Sequence, residues 1–457
     1  MALLSPVVPP TAPCPQAILE RQLVRESSAR TYARSLPIVP VRASGTTVEG
    51  ADGRRYLDCL SGAGALALGH NHPAVIAAIR GMLDRGAPLQ VLDVATPERD
   101  AFVEELFSTL PEPLARRGRV HFCGPAGTDA VEAAWKLAQT ATGRSGLLAF
   151  SGGYHGHSAG ALAATGNVAI KEGLRGVTAE VSRLPYPHRY RCPFGLGDDP
   201  DGVVAARYVE RLLADPSGGV VPPAAMIVEP VQGEGGIVPA PDPWLRAMRS
   251  VTEARGIVLV ADEVQTGVGR TGAMWGVDHS GVAPDVMVLS KAVGGSLPLA
   301  CIVYREELDG WSPGAHTGTF RGNHLAFAAG AATLRVIREE DLVRRAAVVG
   351  QRVLDSLRDL QVAAPIIGEV RGRGLMLGVE IVDPAAEPDA CGARPPAPSI
   401  ARAVQEECLS RGLILELGGR DDAVVRLLPP LTISDAEADS VVARLAESIA
   451  VAGQASR

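Results

Sequence analysis

Two charged residues come directly after short apolar runs, and both could take part in catalysis. Lys291 follows DVMVLS (285–290), and Asp262 ends GIVLVAD (256–262). A lysine at the end of an apolar strand is partly desolvated, which lowers its pKa and makes the amine a nucleophile or a base. A carboxylate in such a place can pair with a protonated ring nitrogen or a metal ion. The alternatives are a surface lysine that reaches solvent and an aspartate that caps a helix.

Lysine is scarce in this chain, which gives Lys291 further weight. Of the 44 basic residues only three are lysine, and the other two are Lys136 and Lys171. A coding bias toward arginine accounts for the scarcity, but arginine cannot replace lysine where a Schiff base must form. We predict that Lys136 is a solvated charge on a helix and Lys171 a charge in a loop. Lys291 is therefore the lysine that we predict to be chemically active.

A third segment, CGPAGTDAVEAAWKL (123–137), has the pattern of a strand, a glycine-rich turn and a helix. The N–H groups of Gly127 and Thr128 are predicted at the start of that helix, where unpaired donors and the helix dipole stabilise a phosphate. An ordinary tight turn is the alternative for this segment alone. A phosphate-binding turn with a lysine and a carboxylate at neighbouring strand ends is what a pyridoxal phosphate site requires. In such a site the carboxylate keeps the pyridine nitrogen protonated and the lysine carries a Schiff base.

One motif suggests a different cofactor, but its context does not fit. GVGRTG (267–272) matches the G-x-G-x-x-G of dinucleotide-binding folds and follows a predicted strand. The residues after it, AMWGVDHSG (273–281), lack the apolar period of the helix that would hold the pyrophosphate. We therefore do not predict an NAD site.

The elements that must position these residues alternate along the chain. Short apolar runs with little polar alternation suit strands buried on both faces, and they are RVHFC (119–123), GLLAF (146–150), AAMIVE (224–229), GIVLVAD (256–262), DVMVLS (285–290) and LACIVY (299–304). Amphipathic segments lie between them, among them a helix with Asp242 as N-cap and Pro243 as its first residue. The pattern predicts an α/β fold with a mostly parallel central sheet wrapped by helices.

A second region with a different pattern follows a predicted helix around 342–360. It contains GRGLMLGVEIV (372–382), a helix over 399–412, the strand VVRLLPPLTI (424–433) and a final helix capped by Ser434, which suggest a smaller α+β domain. We predict four segments: a loose N-terminal arm over 1–30, a segment over 31–73 that packs with the small domain, a large cofactor-binding domain over 74–330 and a C-terminal small domain over 331–457. Within the second segment, the Gly-Ala-Asp-Gly turn at 50–53 predicts a hairpin.

The composition excludes several classes of protein. The chain has 457 residues, 46% hydrophobic and 21% charged, which is typical of globular rather than disordered or fibrous proteins. A net charge of −7 argues against a surface for nucleic acid or anionic membranes. The sequence has neither an apolar run near the roughly 20 residues of a membrane span nor the features of a signal peptide, so we expect a cytoplasmic protein. The seven cysteines are scattered without a C-x-x-C pair, and we predict no metal site and no disulfide framework.

From about residue 35 to 450 the sequence resembles the class III, or ω-amino acid, aminotransferases of pyridoxal phosphate fold type I. The matching segments are GPAGTDAVEAA, SGGYHGHS, ADEVQTGVGRTG, SKAVGGS and HTGTFRGN. The resemblance assigns residues to each part of the cofactor: Gly127 and Thr128 to the phosphate, Tyr154 to stacking on the ring with His155 beside it, Asp262 to the pyridine nitrogen, Val264 to the other ring face, Gln265 to the phenolic oxygen, Lys291 to the Schiff base and Thr319 to the phosphate of a neighbouring subunit. It therefore implies a homodimer with shared active sites.

The resemblance also extends to substrate positions. Arg426 matches the arginine that takes the α-carboxylate of glutamate or 2-oxoglutarate through a bidentate pair. Glu234 matches the glutamate that pairs with that arginine in ornithine and related aminotransferases and moves away when the acidic substrate arrives. His157 stands where many relatives have an arginine, so the resemblance assigns no residue to the second carboxylate of 2-oxoglutarate.

Within the family, DCLSGAGALALGHNHP (58–73) and LPYPHRYRCPFG (184–195) are most similar to the diaminobutyrate–2-oxoglutarate aminotransferases. This implies a reversible ping-pong transfer of an amino group between glutamate and the terminal carbon of aspartate 4-semialdehyde, which yields L-2,4-diaminobutyrate. The alternatives are another ω-aminotransferase, acting on ornithine, lysine or 4-aminobutyrate, and an aminomutase on the same fold. A non-catalytic binding protein is disfavoured because both Lys291 and Asp262 are present. The pathway, the preferred direction and any assembly beyond a dimer are not assigned.

Overall fold

The computed structural model describes residues 14–174, 180–197 and 199–455. Its helices are α1 (Pro15–Arg25), α2 (Tyr32–Ser35), α3 (Ser61–Gly64), α4 (Pro73–Asp84), α5 (Pro97–Phe107), α6 (Glu112–Arg117), α7 (Gly127–Thr142), α8 (Ala159–Ala164), α9 (Val203–Ala214), α10 (Asp242–Arg255), α11 (His324–Glu339), α12 (Leu342–Ala363), α13 (Pro398–Ser410) and α14 (Asp435–Ala455). Its strands are β1 (Pro40–Ser44), β2 (Thr47–Gly50), β3 (Arg55–Asp58), β4 (Gly118–Phe122), β5 (Leu147–Phe150), β6 (Val181–Leu184), β7 (Ala225–Val228), β8 (Val231–Gln232), β9 (Val238–Pro239), β10 (Val258–Asp262), β11 (Val286–Leu289), β12 (Cys301–Arg305), β13 (Ile367–Arg373), β14 (Met376–Ile381), β15 (Leu413–Ile414), β16 (Glu416–Gly418) and β17 (Val424–Leu427).

The central sheet has seven strands in the order β4-β12-β11-β10-β7-β5-β6. It is mostly parallel, and β12 runs antiparallel to both of its neighbours. Strands β5, β7, β10 and β11 are buried at every residue because helices cover both faces of the sheet. The predicted α/β architecture is confirmed. The edge strand β6 was not predicted, since its four residues include the charged Arg183 and lack a continuous apolar run.

The order of the strands brings the predicted chemical residues to one edge of the sheet. Strands β10 and β11 are parallel neighbours, with Asp262 opposite Val288. Strand β7 lies on the other side of β10, also parallel. The carboxyl ends of these strands therefore meet, and the residues that follow each of them face a common space.

Two smaller sheets lie beyond the central one, in the orders β13-β14-β17-β16 and β1-β2-β3-β15. The predicted hairpin is present as the antiparallel pair β2 and β3. The parallel pairing of β3 with β15 joins the N-terminal segment to the C-terminal one, as does the bond from the N–H of Leu428 to the carbonyl of Cys59 at 2.7 Å. The predicted domain boundaries remain predictions.

The strand predicted over 424–433 is shorter in the structure and ends at Leu427. Pro429 and Pro430 follow, and proline has no N–H to donate to a neighbouring strand. The two prolines therefore end the strand even though the apolar run continues past them.

Two helix starts were predicted, and one of them differs by a residue. Ser434 caps α14 as predicted: its hydroxyl accepts from the N–H of Glu437 at 3.2 Å, and the Glu437 carboxylate accepts from the N–H of Ser434 at 2.8 Å. Asp242 was predicted as the cap of α10 but is its first residue. The side chain of Asp242 instead pairs with Arg373 of β13 at 2.9 Å.

The predicted loose arm over 1–30 is only partly described, because residues 1–13 lie outside the described ranges. The remainder contains α1, so the prediction of a loose arm missed a helix. None of the α1 residues is buried. No helix in the described part of the chain is both long enough and apolar enough to span a bilayer.

Candidate active site

Lys291 lies at the end of β11 and begins one turn of 3-10 helix that runs to Gly294. Its φ is +53°, in the left-handed region that non-glycine residues rarely adopt and that is concentrated at functional sites. Burial lowers the pKa of its amine, although the negative charges of Glu234 and Asp262 oppose the shift. The amine can therefore lose its proton more readily than an exposed lysine.

Asp262, at the end of β10, is held by two partners. One carboxylate oxygen lies 2.7 Å from Nδ1 of His155, and the other accepts from the N–H of Val264 at 3.1 Å. The side chains of Asp262 and His155 are 4% and 1% exposed, so the pair is almost fully removed from water. The N–H of His155 in turn donates to Thr165 Oγ1 at 2.9 Å, which orients the histidine backbone.

Glu229, just after β7, connects two loops of the site through hydrogen bonds. Its carboxylate accepts from the N–H of Tyr154 at 2.8 Å and from that of Gly233 at 3.0 Å. Burial raises the pKa of Glu229 to about 7; the charge of His155 opposes this shift and that of Asp262 adds to it. Sequence reasoning did not single out Glu229, although it follows a buried strand just as Asp262 does.

The start of α7 lies against the same group. A Cβ built on Gly127 would lie 3.2 Å from both Val264 methyl groups, so a side chain there would force Val264 to shift by a few tenths of an ångström. The Thr128 hydroxyl lies 2.6 Å from that of Ser158 and accepts from the Ser158 N–H at 3.0 Å. Gly156 has a φ of +126°, and a Cβ there would lie 2.4 Å from Thr128 Oγ1. Thr128 lies in the first turn of α7, where the backbone N–H groups have no acceptor within the helix and can bind a ligand.

Gln265 lies between this group of residues and Glu234, which belongs to the other end of the pocket. Its Nε2 is 3.4 Å from the carbonyl of Ala63 and 3.4 Å from Oε1 of Glu234. Its own Oε1 is buried and has no hydrogen-bond partner among the described residues. Tyr154 is half-buried nearby, and its ring centroid is 5.6 Å from that of His157.

Arg426, on β17, forms the other end of the pocket and has no exposed side-chain surface. Its two terminal nitrogens donate to the two oxygens of Glu234, both at 2.8 Å. Burial acts to raise the pKa of Glu234, but this bidentate pair outweighs it and lowers the pKa. The pairing that the family resemblance implied for Arg426 and Glu234 is present in the structure.

Two residues near Arg426 were not predicted from the sequence. Oε2 of Glu416 lies 2.6 Å from Nη2 of Arg426. Burial raises the pKa of the Tyr32 phenol, and the charges of Glu416 and Glu234 add to the shift, so this ring faces the same carboxylates. Tyr32 and Glu416 are far apart in the sequence and belong to no recognisable motif.

The Ser61–Gly64 segment, α3, is a turn of left-handed backbone. All four residues have a positive φ, of 50°, 59°, 56° and 87° in order, and two of them are not glycine. Such a run is unusual for L-residues. Because the carbonyl of Ala63 faces Gln265, this turn forms part of the pocket wall.

Among the described residues, Thr319 forms no hydrogen bond with this group. It lies on an exposed loop, and its carbonyl accepts from Nε2 of Gln90 at 2.5 Å. The neighbouring Phe320 is 67% exposed.

The other two lysines differ from each other. Lys136 is exposed, with Nζ 3.4 Å from the carbonyl of Ala315. Lys171 is half-buried and donates to the carbonyl of Thr165 at 2.5 Å, just after α8. It therefore stabilises the carboxyl end of that helix, and the description of Lys171 as a charge in a loop was incomplete.

Comparison with known proteins identifies the family. The profile of the family described as "Aminotransferase class-III" matches residues 28–449. A diaminobutyrate–2-oxoglutarate aminotransferase of Rhizobium meliloti is 55% identical, over 94% of this chain and 91% of the relative. One of Haemophilus influenzae is 48% identical, over 95% of each chain.

Solved structures agree with this assignment. An amine transaminase from an uncultivated Pseudomonas species, in its PLP-bound form, superposes with a TM-score of 0.84 at 31% identity, over 94% of this chain and 98% of that one. The ornithine aminotransferase of Toxoplasma gondii superposes with a TM-score of 0.79 at 26% identity, over 97% and 96%. The family inferred from the sequence motifs is confirmed, and the chain belongs to the class-III aminotransferases.

Proposed function

We propose that this aminotransferase moves an amino group between glutamate and the terminal carbon of aspartate 4-semialdehyde, which yields 2-oxoglutarate and L-2,4-diaminobutyrate. The observation that carries the proposal is a single pocket whose two ends hold different sets of charged residues. At one end are a buried lysine and a carboxylate paired with a histidine. At the other is an arginine whose carboxylate partner is itself partly exposed.

The residues at the first end fit pyridoxal phosphate, the cofactor that the family implies. The close approach of Gly127 to Val264 gives the phosphate a backbone cradle, and the buried Oε1 of Gln265 needs a partner. In our proposal the phosphate is held by N–H groups of Gly127 and Thr128. The other assigned contacts are Tyr154 at one ring face with His155 beside it, Val264 at the other face, Asp262 at the ring nitrogen, Gln265 at the phenolic oxygen and Lys291 at the aldehyde. The cofactor, when bound, supplies an electron sink that acidifies the C–H bond of the reacting substrate carbon.

Lys291 and Asp262 then have separate tasks. Burial lowers the pKa of Lys291, so its neutral amine can take a proton from the reacting carbon and return it at a neighbouring atom. Asp262 holds a proton on the ring nitrogen. His155 keeps the carboxylate in place while it does so.

Arg426 and Glu234 let one pocket accept both substrates. Arg426 would bind the α-carboxylate of glutamate in place of Glu234, whose side chain is 31% exposed and therefore has room to move. With Glu234 in place, the arginine is neutralised and the pocket suits a substrate that carries an amino group. His157, where relatives often have arginine, leaves the second carboxylate of 2-oxoglutarate to another group.

The relatives support diaminobutyrate as the second substrate, since two of them with 55% and 48% identity carry that name.

We further propose a homodimer in which Thr319 reaches the phosphate site of the partner subunit. The loop that carries Thr319 is exposed, and large apolar side chains are exposed on it and on a neighbouring segment, namely Phe320, Leu89, Leu92 and Val94. An exposed apolar patch of this kind is typical of a subunit interface.

The proposed function is tested by a panel of amino donors with 2-oxoglutarate as the acceptor. We expect L-2,4-diaminobutyrate to give a higher kcat/KM than ornithine, lysine or 4-aminobutyrate. No turnover of diaminobutyrate would refute the choice of substrate. An aminomutase would convert its substrate without a keto acid, so a reaction that proceeds without 2-oxoglutarate would refute transamination.

A further inference from the structure

Arg426 pairs with two carboxylates rather than one. Glu234 engages both of its terminal nitrogens, and Glu416 Oε2 lies 2.6 Å from one of them. The arginine is fully buried, so both contacts lie inside the protein. One positive and two negative side chains leave this end of the pocket with an excess of negative charge.

Glu416 is not fully satisfied by these contacts. Its Oε2 is buried and lies 2.6 Å from Nη2 of Arg426 without the geometry of a hydrogen bond, and the carboxylate also accepts a hydrogen bond from the Tyr32 phenol. An ion pair with poor hydrogen-bond geometry offsets only part of the cost of burying a carboxylate. Burial raises the pKa of Glu416; Arg426 opposes the shift and Glu234 adds to it. A positively charged donor placed here would satisfy the oxygen and stabilise the carboxylate.

Glu416 and Glu234 differ in backbone setting and in exposure. Glu416 begins β16 and lies directly opposite Arg426 in the antiparallel pair with β17. Its side chain is 12% exposed, against 31% for Glu234, which lies in the loop between β8 and β9. The backbone of Glu416 is therefore fixed beside Arg426 whether or not Glu234 moves, so the Glu416 carboxylate is present in both half-reactions.

A diamino acid brings a suitable donor to this place. It reacts through its terminal amine next to Lys291, and its α-ammonium remains at the far end of the molecule, toward Arg426. We propose that Glu416 binds this α-ammonium and thereby selects diamino acids over ω-amino acids that lack it. The inference rests on the proposed function, in which diaminobutyrate reacts at its terminal carbon.

The test compares two donors of equal length on the holoenzyme, with 2-oxoglutarate as acceptor. L-2,4-Diaminobutyrate and 4-aminobutyrate share the reacting amine and the carboxylate and differ only at the α-amino group. We expect the wild-type enzyme to favour diaminobutyrate in kcat/KM by at least about 10-fold, as a charge-assisted hydrogen bond would. Glu416→Gln keeps the size but removes the charge, and it should reduce that preference by about 10- to 100-fold. The values for 4-aminobutyrate and glutamate should change by less than about 3-fold, since neither places an ammonium there.

Glu447→Gln is the matched control, because that carboxylate is on the surface, with 69% of its side chain exposed. It should leave the donor ratio unchanged. A donor ratio that keeps its wild-type value in Glu416→Gln overturns the inference. So does an equal loss for all three substrates, which would mean that Glu416 only orients Arg426.

Two further measurements keep the inference testable. Should Glu416→Gln fail to fold, equal use of both donors by the wild-type enzyme would by itself overturn the inference, and a clear preference for diaminobutyrate would support it.

If the wild-type enzyme does not turn over diaminobutyrate, the proposed function fails separately. The same criteria then apply to ornithine against 5-aminopentanoate, or lysine against 6-aminohexanoate. If no diamino acid serves as donor, both proposals fail.

Discussion

At the cofactor end of the pocket, buried charges have fixed partners, whereas at the substrate end one arginine serves two carboxylates. Asp262 is paired with His155 in a contact that is almost completely buried. Arg426 has Glu234 and Glu416 within 2.8 Å, and Glu234 is partly exposed. The first arrangement suits a group that stays bound through every turnover. The second suits substrates that exchange, because Glu234 can move away while Glu416 still balances the charge of Arg426.

The two ends also differ in how the chain builds them. The cofactor end comes from segments that follow neighbouring strands of one sheet, β5, β7, β10 and β11. The substrate end combines β16 and β17 with the left-handed α3 turn and the short helix α2. This difference predicts that damage to the first end stops the chemistry, whereas damage to the second changes which substrates are used.

The largest effect is expected from Lys291→Ala. This change removes both the amine that would hold the cofactor and the proton carrier, so kcat should fall by about 10⁴-fold for every donor. The yellow absorbance of the holoenzyme should disappear as well. Lys136→Ala is the control, because that lysine is exposed. The activity of this variant should be normal. Retention of the yellow absorbance in Lys291→Ala would contradict the assignment of the cofactor site.

The next largest effect is expected at the substrate end, from Arg426→Lys. The charge remains to balance both glutamates, but the two parallel bonds to a carboxylate are lost. We expect KM for glutamate to rise by about 10- to 100-fold, with the cofactor absorbance unchanged. Arg352→Lys, at an exposed arginine on α12, should have no effect. If the Arg426 variant lost its cofactor, the two ends would not be independent.

His155→Ala should produce a smaller loss, because His155 acts only by positioning Asp262. Removing it leaves the buried carboxylate without its partner, and we expect kcat to fall by about 10-fold with KM little changed. Rescue by His155→Gln, which can donate a hydrogen bond to Asp262, would support a positioning role, and a loss of the same size in His155→Gln would contradict it.

The smallest effect is expected from Tyr32→Phe. Loss of one hydroxyl next to Glu416 should lower kcat/KM for diaminobutyrate by about 3-fold, because the contact is partly exposed. The glutamate half-reaction should be unaffected. Equal losses for both substrates would show that Tyr32 does not belong to the substrate end alone.

The proximity of residues at the cofactor end could be predicted from the sequence better than at the substrate end, for a physical reason. Asp262 and Lys291 could be placed together because parallel strands bring their carboxyl ends to one edge. Their roles, with those of the other assigned residues, remain predictions that the variants above address. Glu416 and Tyr32 could not be found in this way, because their proximity to Arg426 depends on how separate sheets and helices pack together.

The prediction of the fold likewise depended on which local signals the sequence contains. Continuous apolar runs identified the buried strands of the central sheet, while the edge strand β6, with Arg183 inside it, gave no such signal. Proline ended β17 earlier than its apolar pattern suggested. At the end of β17 the local backbone chemistry mattered more than hydrophobicity.

The scarcity of lysine has a practical consequence for handling the protein. Of the three side-chain amines, Lys136 is exposed, Lys171 is half-buried against the end of α8, and Lys291 lies in the pocket. Amine-directed reagents therefore have one readily accessible lysine, at a known position on α7. Coupling through Lys136 should restrict the orientations in which the enzyme attaches to a support, a result that a lysine-rich surface would not allow.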